Sequence, residues 1–223
     1  MSSKNLKNQN NKKTKSPLKF LYNKEILYLI IIGTVGLVIR LYYFPFNIPI
    51  IDDGIDYFSY AVVSSQQGQL PVNWGLSNNG WPVFLSYFFS IFNSQNFLEF
   101  TYLQRSLTII ISVLTIIPVY FLCKRFVNKK IAIISTTLFV FEPRIIINSL
   151  IGITEPAYIL LGTISLFLFL SKRFSIILIS FFTLALCSII RYEGFLLFIP
   201  FVIIFFIRFR KDKKIIKKIF LII

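Results

Sequence analysis

Three carboxylates stand within five residues, at Asp52, Asp53 and Asp56. Like charges that close resist joint ionisation, so at least one of the three holds its proton more tightly than a lone aspartate. A carboxylate of that kind suits a general base or a metal site. The competing reading is an acidic turn that caps the following helix, since Asp is a favoured N-cap. A second acidic region contains Glu142 and Glu155, each directly before a proline. Thr154-Glu155-Pro156 also reads as a helix start, with a cap, an acid and a proline in the first turn. Glu142 resists that reading because it ends an apolar run, where the helix dipole disfavours an acid. An acid set against the dipole beside Arg144 points to a paired or functional group. The third set is Arg191-Tyr192-Glu193-Gly194, whose plainer reading is a salt-bridged turn. Arg144 and Arg191 are candidate phosphate ligands, because a guanidinium fork matches two phosphate oxygens. Arg40 and Arg105 are further candidates, and ion pairing with nearby acids is the alternative for all four.

The elements that must position these groups are apolar runs at residues 26–44, 107–123, 131–141, 157–170, 174–190 and 195–207. Threaded alternately from the cytoplasm, they place every lysine inside. The inside segments hold 20 of the 24 basic residues, leaving Arg40, Arg105, Arg144 and Arg191 outside. Seven of the nine acids fall outside: Asp52, Asp53, Asp56, Glu99, Glu142, Glu155 and Glu193. Lys and Arg in short loops orient membrane proteins, so the N-terminus is expected in the cytoplasm and the acidic face outside the cell membrane. Ionisable groups gathered at one membrane face are functional candidates.

This pattern implies an all-α membrane protein with six transmembrane helices. An external segment at residues 45–100 contains no Lys or Arg. Within it, residues 57–65 and 81–92 are short and aromatic, as expected of helices lying in the interface. Residues 1–24 read as a basic, disordered cytoplasmic tail, 25–207 as the transmembrane domain, and 208–223 as a basic segment that opens a further helix. The first run is long enough to span and lacks a small-residue cleavage site, so it is a retained helix rather than a signal peptide.

Composition closes off other classes. A chain that is 56% hydrophobic, with Phe at 26 positions, is not an ordinary soluble domain. The net charge of +15 would suit nucleic acid, but the lysines flank apolar runs and read as topogenic anchors, so no nucleic-acid partner is expected. The chain has no histidine, which removes His-based acid–base chemistry, Ser–His triads and His-ligated metals. Cys123 and Cys187 sit at the end of one run and inside another, and read as small buried hydrophobes.

The motifs resemble the GT-C superfamily of polytopic glycosyltransferases, in its archaeal protein-mannosyltransferase and aminoarabinose-transferase form. The resemblance rests on IDDGIDYFSYA at 51–61, NNGWPVFLS at 78–86, FEPR at 141–144 with ITEP at 153–156, and RYEG at 191–194. It covers about residues 26–207, as the N-terminal portion of such an enzyme. It implies a sugar donor on a polyprenyl phosphate, transferred with inversion on the outer face to a hydroxyl of an extracytoplasmic protein or glycan. By the same resemblance Asp53 matches the catalytic aspartate of the first loop, four residues before Tyr57, with Asp52 and Asp56 as close competitors. Glu142 and Glu155 match the second acidic region, and Arg191 matches an arginine position of the family only loosely. From guanidinium chemistry, Arg144 or Arg191 is expected to stabilise the charge on the leaving phosphate. The chain departs from the family in having fewer spans and no soluble C-terminal domain. It also lacks an Asp-x-Asp pattern in the second external loop, which speaks against a required metal. No cofactor is therefore expected, with a divalent cation as the remaining option. Rival expectations are a non-catalytic or split half that needs a second membrane chain, and a transporter of lipid-linked sugars.

Overall fold

The computed structural model describes residues 24–76, 78–92 and 94–210, and every regular element among them is an α-helix. The expected basic tail before Lys24 and the expected further helix after residue 210 lie outside the described residues. The first helix, α1, is Lys24–Tyr42. Two short helices follow, α2 (Asp53–Gln67) and α3 (Gly80–Ile91). Next comes a 27-residue helix, Phe97–Cys123, in two parts, α4 (Phe97–Leu114) and α5 (Ile116–Cys123). Its ladder opens at Thr115 because Pro118 has no N–H and its ring crowds the carbonyl of Leu114. The Thr115 hydroxyl donates to the Ile111 carbonyl at 2.8 Å.

The chain continues with α6 (Lys129–Val140), α7 (Pro143–Ile151), α8 (Glu155–Phe169), α9 (Phe174–Ile190) and α10 (Gly194–Phe209). Among the described residues, only α1 and Phe97–Cys123 are long and apolar enough to cross a membrane, with mean hydropathy 1.9 and 2.3. Counting α6 and α7, bent by 48°, as one span gives three rather than the six expected. Local punctuation is the reason. Glu142-Pro143 and Glu155-Pro156 each begin a new helix, and turns at 170–173 and 191–193 bound α9, so α8, α9 and α10 have 15, 17 and 16 described residues. Seventeen residues reach only about 25 Å, against about 30 Å of hydrocarbon.

The two aromatic stretches of the external segment are helices, as their composition suggested. They pack as a hairpin around a core of Ile50, Phe58, Ala61, Trp81, Leu85 and Phe89. A second core of Phe169, Ile177, Phe181, Leu184, Phe201 and Phe205 joins α8, α9 and α10. Large apolar side chains remain exposed, among them Ile31, Val35 and Val38 on α1 and Leu196, Ile199 and Ile203 on α10. Faces of this kind suit contact with lipid.

The basic segments meet one another. Glu25 pairs with Lys124 and Lys129 and accepts a hydrogen bond from the Tyr120 hydroxyl, joining α1, α5 and α6. Arg125 donates to the Leu170 carbonyl at 2.9 Å, and Arg208 donates to the carbonyls of Phe169 and Ser171. The ends of α5, α8 and α10 are thereby tied together.

Two arginines considered for phosphate are structural instead. Arg40 is fully buried and donates to Ser149 Oγ, Ser112 Oγ and the carbonyls of Gly36 and Val140. With all these acceptors neutral, the guanidinium acts as a bolt across α1, α4, α6 and α7. Arg105 donates to the carbonyls of Pro45, Ile48 and Pro49, fixing the chain that leads into α2.

Candidate functional site

Gln104, buried on α4, sets the position of the α2 N-terminus. Its amide donates to the Gly152 carbonyl at 2.7 Å and to the Gly54 carbonyl at 3.3 Å. The Trp81 indole donates to the same Gly152 carbonyl at 3.3 Å. A Cβ on Gly54 would come within 2.5 Å of Ile50 Cγ2 and 3.1 Å of the Ile151 carbonyl oxygen. Only glycine lets α2 start this close to α7, and that start carries Asp53 and Asp56.

Residues 191–194 approach from the other end of the chain. The Gly194 N–H donates to the Arg191 carbonyl at 2.9 Å, closing a turn between α9 and α10. A Cβ on Gly194 would stand 2.7 Å from Ser188 Cα and 2.8 Å from Ser188 N, which are backbone and cannot yield cheaply. Gly194→Ala is therefore expected to cost about 1–3 kcal/mol of stability. Thermal unfolding of the detergent-solubilised protein reads this directly, and an unchanged midpoint would refute the close packing.

These elements enclose a cleft of about 260 Å³, with Asp53, Asp56, Tyr57, Asn78, Arg191 and Glu193 among its walls. Asp53 and Asp56 are exposed and lie one helical turn apart. Arg191 is the hub of the cleft. Its Nη1 donates to Glu155, in an ion pair, and to Thr154 Oγ1 at 3.3 Å. Its Nη2 and Nε donate to the two carboxylate oxygens of Glu193 at 2.8 and 3.3 Å. Among the described residues these are the ion pairs at the cleft, and neither Asp53 nor Asp56 takes part in one.

The Glu193 hydrogen bonds hold the Arg191 pKa above its ordinary value, against the opposing effect of burial. The same hydrogen bonds hold the Glu193 carboxyl below the usual carboxylate range. Burial pushes the Tyr57 phenol up, partly offset by a hydrogen bond with Thr154, and the Asp53 charge pushes in the same direction as burial. Asp53, Asp56 and Glu193 thus line the cleft with Arg191, and Glu155 and Glu193 pair with its guanidinium. Such a cleft attracts positive charge, and it can take an anion only where Arg191 exchanges one carboxylate for another acceptor.

The structure gathers some of the expected site residues and separates others. Asp53, Asp56, Glu155 and Arg191 come together. Asp52 does not line the cleft. It sits at φ 53° in the turn before α2, where its carbonyl accepts from Ile55 N at 3.0 Å. Glu142 does not line it either. Its side chain accepts from Ile145 N at 2.8 Å and caps α7, with Pro143 in the first turn. The sequence reading set Glu142 against a helix dipole. In fact the helix breaks at Phe141, and the acid stabilises the start of the next one. Arg144 is exposed on α7 and absent from the cleft walls.

Asn78 and Leu76, from the stretch between α2 and α3, also line the cleft. Polar turn residues carry no signal of which distant segment they face. Among the described residues, no group of three or more Asp, Glu or Cys side chains is placed to hold a metal ion. Cys123 and Cys187 are both free, and Cys187 is buried. Comparisons with protein-family models, with curated proteins and with solved structures each return no match.

Proposed function

We propose that the chain is a membrane glycosyltransferase, moving a sugar from a polyprenyl-phosphate donor to an acceptor hydroxyl with inversion. The observation that carries this reading is the meeting of Asp53 and Asp56 with Arg191 in one cleft, from segments far apart in sequence. Asp53 would take the acceptor proton, with Asp56 one turn away as the alternative base. The acceptor oxygen then attacks the anomeric carbon opposite the departing phosphate. Positive charge grows on the sugar ring in such a transition state, and a carboxylate-rich cleft stabilises it. Negative charge grows on the phosphate, and Arg191 is the group in the cleft suited to meet it.

The same contacts favour an orientation in the cell membrane. The lysine-bearing helix ends are tied together around Glu25, and the Asp–Arg191 cleft forms from the opposite connections. Under the positive-inside rule this reads as a multi-pass protein with a cytoplasmic N-terminus and its active face outside. The short helices α8, α9 and α10 then cross with their outer ends sunk below the membrane surface, where irregular backbone lines a water-filled cleft. The acceptor is a hydroxyl of an extracytoplasmic protein or glycan of the cell envelope.

The reaction is tested in membranes that contain the protein, supplied with a hexosyl-phosphate polyprenol. Release of polyprenyl phosphate, with the hexose appearing in a polymer-bound fraction, is expected. Donor consumption no faster than in membranes lacking the protein would reject the reading.

A further inference from the structure

Arg125 and Arg208, from the ends of α5 and α10, converge on one turn. Arg125 donates to the Leu170 carbonyl at 2.9 Å, and Arg208 donates to the Phe169 carbonyl at 3.0 Å and to the Ser171 carbonyl. Consecutive carbonyls at the end of α8 thus hold two guanidinium groups together. Lys172 and Arg173 follow in the same turn, and all four basic residues are exposed.

Carbonyl oxygens hold a cation without cancelling its charge. Among the described residues the ion pairs are those of Glu25 and Arg191, so no carboxylate pairs with this patch. The lysines at the other helix ends differ, since Lys124 and Lys129 share Glu25. Arg125 also keeps donors to spare. It gives a single N–H to Leu170 while its guanidinium lies 4.6 Å from the Phe167 ring centre, and the rest of its fork stays open. The sequence after Arg210 adds five lysines and one aspartate at 211–218, so it too is net positive.

The surroundings identify the partner. The helix Phe97–Cys123, which α5 completes, is long and apolar enough to cross a membrane, so its end and the patch beside it stand at a membrane surface. Exposed apolar side chains flank the patch: Leu166 and Leu170 at the end of α8, and Ile204 and Ile207 within one turn of Arg208. Cations rimmed by apolar side chains match a molecule with an anionic head and hydrocarbon chains. We propose that this patch binds the head group of an anionic phospholipid, whose acyl chains lie along α8 and α10. The site is at the end of α8 and the Asp–Arg191 cleft is at its start, so the proposal does not depend on the transferase reading.

Native mass spectrometry of the full-length protein in detergent tests it. Phosphatidylglycerol and phosphatidylcholine of the same acyl chains are titrated separately, with glycerol phosphate as the detached head. The first phosphatidylglycerol is expected to bind about tenfold more tightly than the first phosphatidylcholine, the increment of one or two cations at an anionic head. Glycerol phosphate is expected to leave no adduct. Lys172→Gln with Arg173→Gln removes two charges and spares the fold, because Arg173 bonds to Ser171 through its backbone N–H. That double variant should lower the preference by about threefold or more. Lys129→Gln with Lys130→Gln removes the same charge from the other helix ends and should leave the preference intact.

Equal affinity for the two lipids would leave the patch to another anion, such as an acidic protein segment, and would overturn the proposal. So would a glycerol phosphate adduct as tight as that of phosphatidylglycerol. A Lys172→Gln, Arg173→Gln protein that keeps the full preference, or equal losses in the two double variants, would also overturn it, because the charge would then act diffusely and not at this site.

Discussion

Asp53→Asn is expected to lower sugar transfer about 10²–10⁴-fold, the usual contribution of a positioned general base. The amide keeps the size and the exposed position at the start of α2, so folding and donor binding should be unchanged. It cannot accept a proton at neutral pH. Asp53 is tested first because it stands four residues before Tyr57, one turn along the same helix and on the same cleft wall. Asp56→Asn, on the same cleft wall, should cost much less if Asp53 is the base. Transfer rates for the two variants at matched membrane levels decide the assignment. Near-normal transfer by Asp53→Asn with a collapse in Asp56→Asn would exchange their roles. Near-normal transfer by both would remove the acid–base account.

Arg191→Gln carries the second large effect. Removing a donor aimed at developing negative charge typically costs about 10²–10³-fold in rate. Arg191→Lys should recover little of it, since a point charge does not reproduce the planar fork. Loss of structure would be the trivial explanation, and the burial figures argue against it. Glu155 and Glu193 keep 28% and 33% of their side chains exposed, so losing the arginine should cost no more than about 1 kcal/mol of stability. A thermal midpoint close to that of the unaltered protein, with transfer reduced at saturating donor, fits a role in the transition state. A variant that loses transfer only because it no longer folds would leave Arg191 as a structural brace and withdraw it from the mechanism.

Charge and periodicity make much of the fold legible in the sequence. The apolar run at 174–190 coincides with α9, and the aromatic stretches at 57–65 and 81–92 became α2 and α3 within a few residues. The reason is that apolar pattern and turn residues are local signals. The span count was not legible, because a run of apolar residues does not reveal where a proline and a capping acid cut it. Glu142 is the clearest instance. Its place after an apolar run suggested an acid opposing a dipole, whereas its side chain caps the helix that begins at Pro143.

The site was legible in its components and not in its pairing. Asp53, Asp56, Glu155 and Arg191 stood out by type and spacing, but residue spacing does not separate Arg191 from Arg144, or exclude Arg40 and Arg105. That separation depends on which carbonyls and carboxylates each guanidinium meets across the fold. Arg40 and Arg105 meet backbone carbonyls and serine hydroxyls, and Arg191 meets two glutamates at a cleft. Long-range geometry of that kind is fixed by packing, such as the Gly54 approach to Ile151, and leaves no trace in residue spacing.

The central claim is an inverting displacement in which an acceptor oxygen attacks opposite a departing lipid phosphate. The anomeric configuration of the transferred sugar tests it most directly. Membranes containing the protein would be given a polyprenyl-phosphate hexose of known anomeric configuration, and the new bond read by NMR of the released glycan. The account requires the opposite configuration in the product, absent from membranes that carry the Asp53→Asn, Asp56→Asn double variant. A product of retained configuration, or equal product from the double variant, would contradict it.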